Sequence, residues 1–141
     1  MSAVTLDAIV ADNDLTSIRL LKSDVDGFDY DVLDSASEVL STQSPILFFE
    51  CDFRDEAQRT GYFSTIGRLD RLGYSNWVAF DNYGEVVLQT TDCTDITQLL
   101  EYVWRQKQHR STRTIYYFDV LASVELDAGL VSRVVSDYVA S

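Results

Sequence analysis

Histidine and proline each occur once in this 141-residue chain, cysteine twice and glycine six times, and each scarcity removes a kind of chemistry. One histidine, His109, with Cys51 and Cys93 far apart, cannot build the four-ligand nitrogen and sulfur shell of a structural zinc site. Two isolated thiols do not make a disulfide scaffold, so they read as small buried apolar side chains and suit a reducing, cytoplasmic setting. Gly61, Gly67 and Gly73 fall within or at the end of a helical pattern, which matches neither G-x-G-x-x-G nor a P-loop. No serine stands in the glycine elbow of a hydrolase nucleophile. Positive charge is scarce too: 11 Lys and Arg face 23 Asp and Glu, a formal net charge of −12 that repels phosphate backbones and anionic lipid surfaces. Nucleic acid and membrane are therefore excluded as expected partners, and no apolar run reaches membrane-spanning length. Small molecules and proteins remain.

What is present is a core. Hydrophobic residues make up 46% of the chain and aromatic residues 12%, too much for a disordered acidic segment. Thr5 can cap a short helix bearing Leu6, Ile9 and Val10 on one face. Residues 18–25 read as a largely buried strand closed by Asp26-Gly27, and a helix from about Phe28 to Ser41 follows, with Val32, Leu33, Ala36, Val39 and Leu40 as its apolar stripe. Ile46-Leu47-Phe48-Phe49 has no alternation, as expected of a central strand covered on both faces. Strand, helix, strand predicts a right-handed crossover and parallel pairing. A helix over about Asp55–Leu72, with Ala57, Phe63, Ile66 and Leu69 inward, should stop at Gly73. Tyr74–Phe80 and Glu85–Thr90 read as a hairpin around Asp81-Asn82-Tyr83-Gly84. A helix capped by Thr94 or Asp95 carries Ile96, Leu99, Leu100, Val103 and Trp104 on one face. Thr114–Leu121 is strand-like, and Leu130, Val131, Val134, Val135, Tyr138 and Val139 share a helical face. The expectation is one α/β domain over residues 1–141, layered helix, sheet, helix, with an antiparallel hairpin or strand near its C-terminus.

Acids mark the candidate site. Asp24 and Asp26 lie at or just past the end of the first long strand, and Glu50 and Asp52 end the next; parallel pairing would bring all four into the crevice where open α/β sheets bind ligands. Crowded carboxylates raise one another's pKa or attract a cation, which suits proton abstraction or hard-metal binding. The competing structural role is helix capping by Asp26 or Asp29. Lys22, inside the strand, needs Asp24, Glu50, a ligand anion or an exit to solvent. Arg105, Lys107, Arg110 and Arg113, with His109, form the one positive cluster; it could hold a phosphate or simply be the solvated last turn of a helix.

The order of Thr5-Leu6-Asp7, Leu21-Lys22-Ser23-Asp24-Val25-Asp26-Gly27-Phe28-Asp29, Val32-Leu33-Asp34-Ser35-Ala36, Leu40, Pro45, the Phe48-Phe49-Glu50 strand and Leu72-Gly73-Tyr74 resembles the C-terminal half of FkbM-type methyltransferases. The likeness runs over about residues 4–80, and Asp81–Gly84 and Phe118–Ala122 also look like that family's C-terminal region. Asp26 stands where the family has glutamate and Ser35 where it has glycine. The resemblance implies a partial Rossmann-like sheet of the methyltransferase type. It also implies S-adenosylmethionine as cofactor and O-methylation of a sugar or natural-product hydroxyl, so the expected partner is a small-molecule or glycan acceptor. In that frame Asp24 and Asp26 would orient or deprotonate the acceptor, and Lys22, Glu50 and Asp52 would bind it. The family's glycine-rich cofactor loop has no counterpart here, so the resemblance also implies a truncated chain, inactive alone or kept as a non-catalytic interaction module or a sugar- or nucleotide-binding module. An open sheet edge left by absent strands would favour a homodimer.

Overall fold

The structure, a computed structural model, describes residues 3–141. Five strands form one mixed sheet: β1 (Leu20–Ser23), β2 (Ile46–Cys51), β3 (Tyr74–Asp81), β4 (Val86–Thr90) and β5 (Phe118–Val124), in the order β1-β2-β5-β3-β4. β1 and β2 run parallel, as the intervening helical segment requires. The last strand in the chain inserts antiparallel between β2 and β3, and β3 and β4 form the expected hairpin. β1 and β4 are the sheet edges.

Alternation along the central strands divides the core. Leu47, Phe49 and Cys51 of β2, Trp77 and Ala79 of β3, and Val120 and Ala122 of β5 belong to one cluster. It also takes side chains from α1 (Leu6–Asp12), α2 (Asp29–Asp34), α3 (Ser37–Thr42), α4 (Glu56–Arg71) and α5 (Cys93–His109). Val78 points the other way, onto Val131 and Val135 of α6 (Ala128–Ala140), with Ile46, Phe80 and Leu121 alongside. The unalternated apolar run of β2 is thus explained by apolar packing against both of its faces.

Several local expectations change. The helix over 28–41 is two short helices, because the chain bends at Ser35–Ala36. α1 is docked onto that bend: Ser35 Oγ accepts from the Leu6 amide at 3.1 Å, and the Asp7 amide donates to the Ser35 carbonyl at 3.1 Å. Asp7 in turn accepts from the amides of Glu38 (2.9 Å) and Val39 (3.0 Å), so it caps α3 from outside the helix. The Thr5-Leu6-Asp7 motif is therefore structural, with Thr5 capping α1 and Asp7 capping α3. Ser35 has φ −77°, a conformation that does not call for glycine, and its hydroxyl makes the contact to α1. Asp7→Ala should cost about 1 kcal/mol in denaturant unfolding, since two first-turn amides lose their acceptor; an unchanged midpoint would show that water replaces the cap without loss.

In α4 the inward set is Gln58, Tyr62, Thr65, Ile66 and Leu69; Ala57 is exposed and Phe63 half-buried, one position out of phase with the periodic reading. Asp92, not Thr94 or Asp95, caps α5 through the Thr94 amide at 2.9 Å. Cys51 is buried as expected, whereas Cys93 is only half-buried. No helix is long and apolar enough to cross a membrane among the described residues.

Candidate functional site

Register places the acids. Lys22 pairs with Phe48, and Glu50 pairs with Asp119 of the inserted strand, which itself pairs with Phe80. The pleat therefore sets Lys22, Phe48, Glu50, Asp119 and Phe80 on the face of the sheet that α6 covers only in part. Beyond β1 the chain turns at Asp26 (φ 51°) and Gly27 (φ 93°), both left-handed. Aspartate tolerates this conformation and glycine adopts it freely. A Cβ on Gly27 would sit 2.8 Å from the Asp52 carbonyl oxygen and 3.1 Å from Gln58 Nε2. That close approach locks the turn onto the loop between β2 and α4 and carries Asp24 and Asp26 over the end of β2.

Asp24, Asp26 and Glu50 come together there, each offering a carboxylate oxygen within 4.8 Å of the others. Oxygens at that spacing can hold a hard divalent cation or several hydroxyl groups. Glu50 is half-buried, and its carboxyl is pushed up to about 7, first by desolvation and then by Asp24, Asp52 and Asp119. Asp119 is raised to about 6 by desolvation, with Asp24 adding to it and Lys22 opposing. Tyr117 is pushed up by burial and by the same carboxylates, which places its phenol in the field of the cluster. Lys22 neutralises little of this charge: its ammonium is largely in solvent, 4.0 Å from Asp24.

Asp52 stands apart from the other three. Its Oδ1 accepts from Lys107 Nζ at 2.8 Å, and the same ammonium donates to the Phe53 carbonyl. Asp52 thus ties α5 to the crevice, although its charge still bears on Glu50. Helix capping by Asp26 or Asp29 does not occur, because the N-cap of α2 is Phe28 with no side-chain bond. Asp29 is fully buried instead, and its Oδ2 accepts from the Val25 amide at 3.3 Å, bracing the turn from inside. The basic cluster separates: Lys107 goes to Asp52, Arg105 lies beside Leu88 on another face, and Arg110 and Arg113 line a cavity of their own.

Asp119 was not recognisable as a site residue, because only the antiparallel insertion of β5 brings it beside Glu50. An isolated carboxylate inside the aromatic, β-branched run 114–121 was the one available sign.

Gly27, Gly73 and Gly84 are the glycines with left-handed φ, and they lie singly in three separate turns. No glycine-rich loop that could cradle a cofactor is formed among the described residues, and the space beside Gly27 is filled by protein. A family model described as the methyltransferase FkbM domain matches residues 1–108. Searches of curated proteins and of solved structures gave no match.

Proposed function

This chain belongs to the FkbM methyltransferase family, and from that premise we propose that its acidic crevice binds a hydroxylated acceptor and takes up the proton released when an acceptor oxygen is methylated. The observation that carries this reading is Glu50, whose pKa of about 7 lies where a general base works best at neutral pH. Asp24 and Asp26 reach the same space and can accept hydrogen bonds from neighbouring hydroxyls of a sugar or natural product. Held in this way, the acceptor presents one oxygen, whose O–H proton passes to the Glu50 carboxylate. Desolvation, with Asp24, Asp52 and Asp119 beside it, keeps Glu50 basic, and Lys22 lies at the rim near Asp24, while Asp52, committed to Lys107, shapes the site through charge.

S-adenosylmethionine is the methyl donor that family membership suggests. The described residues do not by themselves fit it, since they form no glycine-rich cradle, so the roles assigned here concern the acceptor alone. The parallel β1–β2 pair and the antiparallel β5 between β2 and β3 support reading the sheet as part of a Rossmann-like methyltransferase sheet.

The test is calorimetric titration of the chain with a panel of sugars and hydroxylated natural products, comparing the wild-type chain with Glu50→Gln. The proposal expects saturable binding of a hydroxylated acceptor whose affinity changes with pH through about 7 as Glu50 ionises, and affinity weaker by about tenfold or more in the variant. Absence of binding of every hydroxylated acceptor, or equal affinity in Glu50→Gln, would overturn it.

A further inference from the structure

We infer that the cavity between the last turns of α5 and the segment leading into β5 is a binding site for a phosphoryl group, separate from the acidic crevice. The cavity, about 410 Å³, is lined by Tyr102, Gln106, Arg110, Thr112, Arg113 and Ile115 among others, and no carboxylate is among its lining residues. On a chain of net charge −12, a cavity whose only charged walls are two arginines is a local reversal of sign.

The decisive group is Arg113. Its guanidinium lies over the Tyr116 ring, with Cζ 5.0 Å from the centroid, and its Nη1 is buried without a hydrogen-bond partner. A buried N–H left unpaired is costly, more so on a charged group, and natural structures resolve that cost with water or a ligand. Neither Arg110 nor Arg113 forms an ion pair among the described residues. Neither guanidinium is committed to a carboxylate, and guanidinium is the side chain best shaped to grip phosphate oxygens in pairs.

The walls are also held in place. Asn82 Nδ2 donates to the Thr114 carbonyl at 3.1 Å, and Asn82 Oδ1 accepts from the Tyr116 amide at 2.8 Å, pinning the segment to the β3–β4 turn. The opposite wall is the end of α5, fixed by Lys107 to Asp52 and Phe53. A preformed cavity of this volume accommodates a phosphate monoester of a small molecule. A polyanion such as nucleic acid would meet the surrounding negative surface and be repelled. The site does not depend on methyl transfer, and its test uses no methyl donor.

The experiment is a titration of the full chain with inorganic phosphate, then with a hexose monophosphate, followed by amide NMR. The expected result is saturable shifts concentrated in residues 110–116, with affinity falling at least about tenfold in Arg113→Gln and also falling in Arg110→Gln. Arg113→Lys, which keeps the charge and loses the fork, should bind more weakly than wild type. Each variant's amide spectrum reports whether the fold is intact, and Arg110→Gln, at an exposed position, serves if Arg113→Gln does not fold. Shifts that do not saturate, or equal affinity in wild type and both glutamine variants, would overturn the inference.

Discussion

At pH 8, Glu50→Gln should be more stable to unfolding than the wild-type protein by about 2 kcal/mol, a figure already reduced for the solvent screening of a half-buried group. By pH 5 the difference should shrink to about a quarter of that, and it vanishes only below the ordinary glutamate value. The sign follows from proton binding. Glu50 titrates near 7 in the folded chain against an ordinary 4.5, so between those values the folded state holds more protons than the unfolded one and stability falls as pH rises. Asp119, raised from 3.8 to about 6, adds a fall of the same sign at lower pH. Between pH 6 and 8 Glu50 dominates, and a neutral isostere there removes the cost of burying its charge among Asp24, Asp52 and Asp119. Urea midpoints at pH 5 and pH 8 for the two proteins measure it; a variant less stable at pH 8 would show that the charged carboxylate makes favourable contacts in the fold. The effect on acceptor binding has the opposite sense, since the substitution that stabilises the protein removes the proposed base. Stability given up at a cluster of like charges is the pattern expected of a functional site.

Gly27→Ala should lower stability by about 3 kcal/mol, the largest single loss expected from adding one methyl group to this chain. Two costs combine. The position has φ 93°, where an L side chain is strained, and the new Cβ would sit 2.8 Å from a backbone oxygen, Asp52 O, which has little freedom to retreat. Gly73→Ala is the control: φ is similarly positive at 97°, but nothing lies within 4 Å of the added Cβ. It should cost only the conformational part, about 1–2 kcal/mol. Equal losses at the two positions would show that the Asp52 contact is immaterial and that the acid turn is not locked onto β2.

The glycine in the Asp26-Gly27 pair was legible as a turn, but its second duty was not, because the Asp52 carbonyl approaches it only after β1 and β2 have paired. The same distinction separates the rest of what could be read. The parallel β1–β2 pair and the β3–β4 hairpin follow from local periodicity and turn chemistry, and the structure has them; of the six residues expected on one face of α6, Val131 and Val135 are buried, whereas Leu130, Val134, Tyr138 and Val139 are exposed. The position of β5 between β2 and β3 is a long-range choice, and no local pattern encodes which strands flank it. Asp119 enters the site with that choice. Phase errors such as Ala57 for Gln58 have a different cause: Gln58 is buried because it works as a connector, accepting from the Arg54 amide at 2.8 Å and packing beside Gly27. A polar residue inside a core is invisible to a pattern that counts apolar ones. Of the four acids expected in the crevice, Asp24, Asp26 and Glu50 meet there, while Asp52 is drawn off by Lys107, a partner 55 residues along the chain.

The central claim is that the carboxylates of the turn after β1, of β2 and of β5 act as one electrostatic unit with Glu50 as its basic member. It is tested most directly by following the Glu50 side-chain carboxyl by carbon NMR across pH, in the wild-type protein and in Asp24→Asn. The account predicts a midpoint near 7 in the wild type, and a lower one in Asp24→Asn that stays above the ordinary glutamate value, because desolvation, the larger cause, is unchanged. A wild-type midpoint near 4.5, or one that does not move when Asp24 loses its charge, would contradict it.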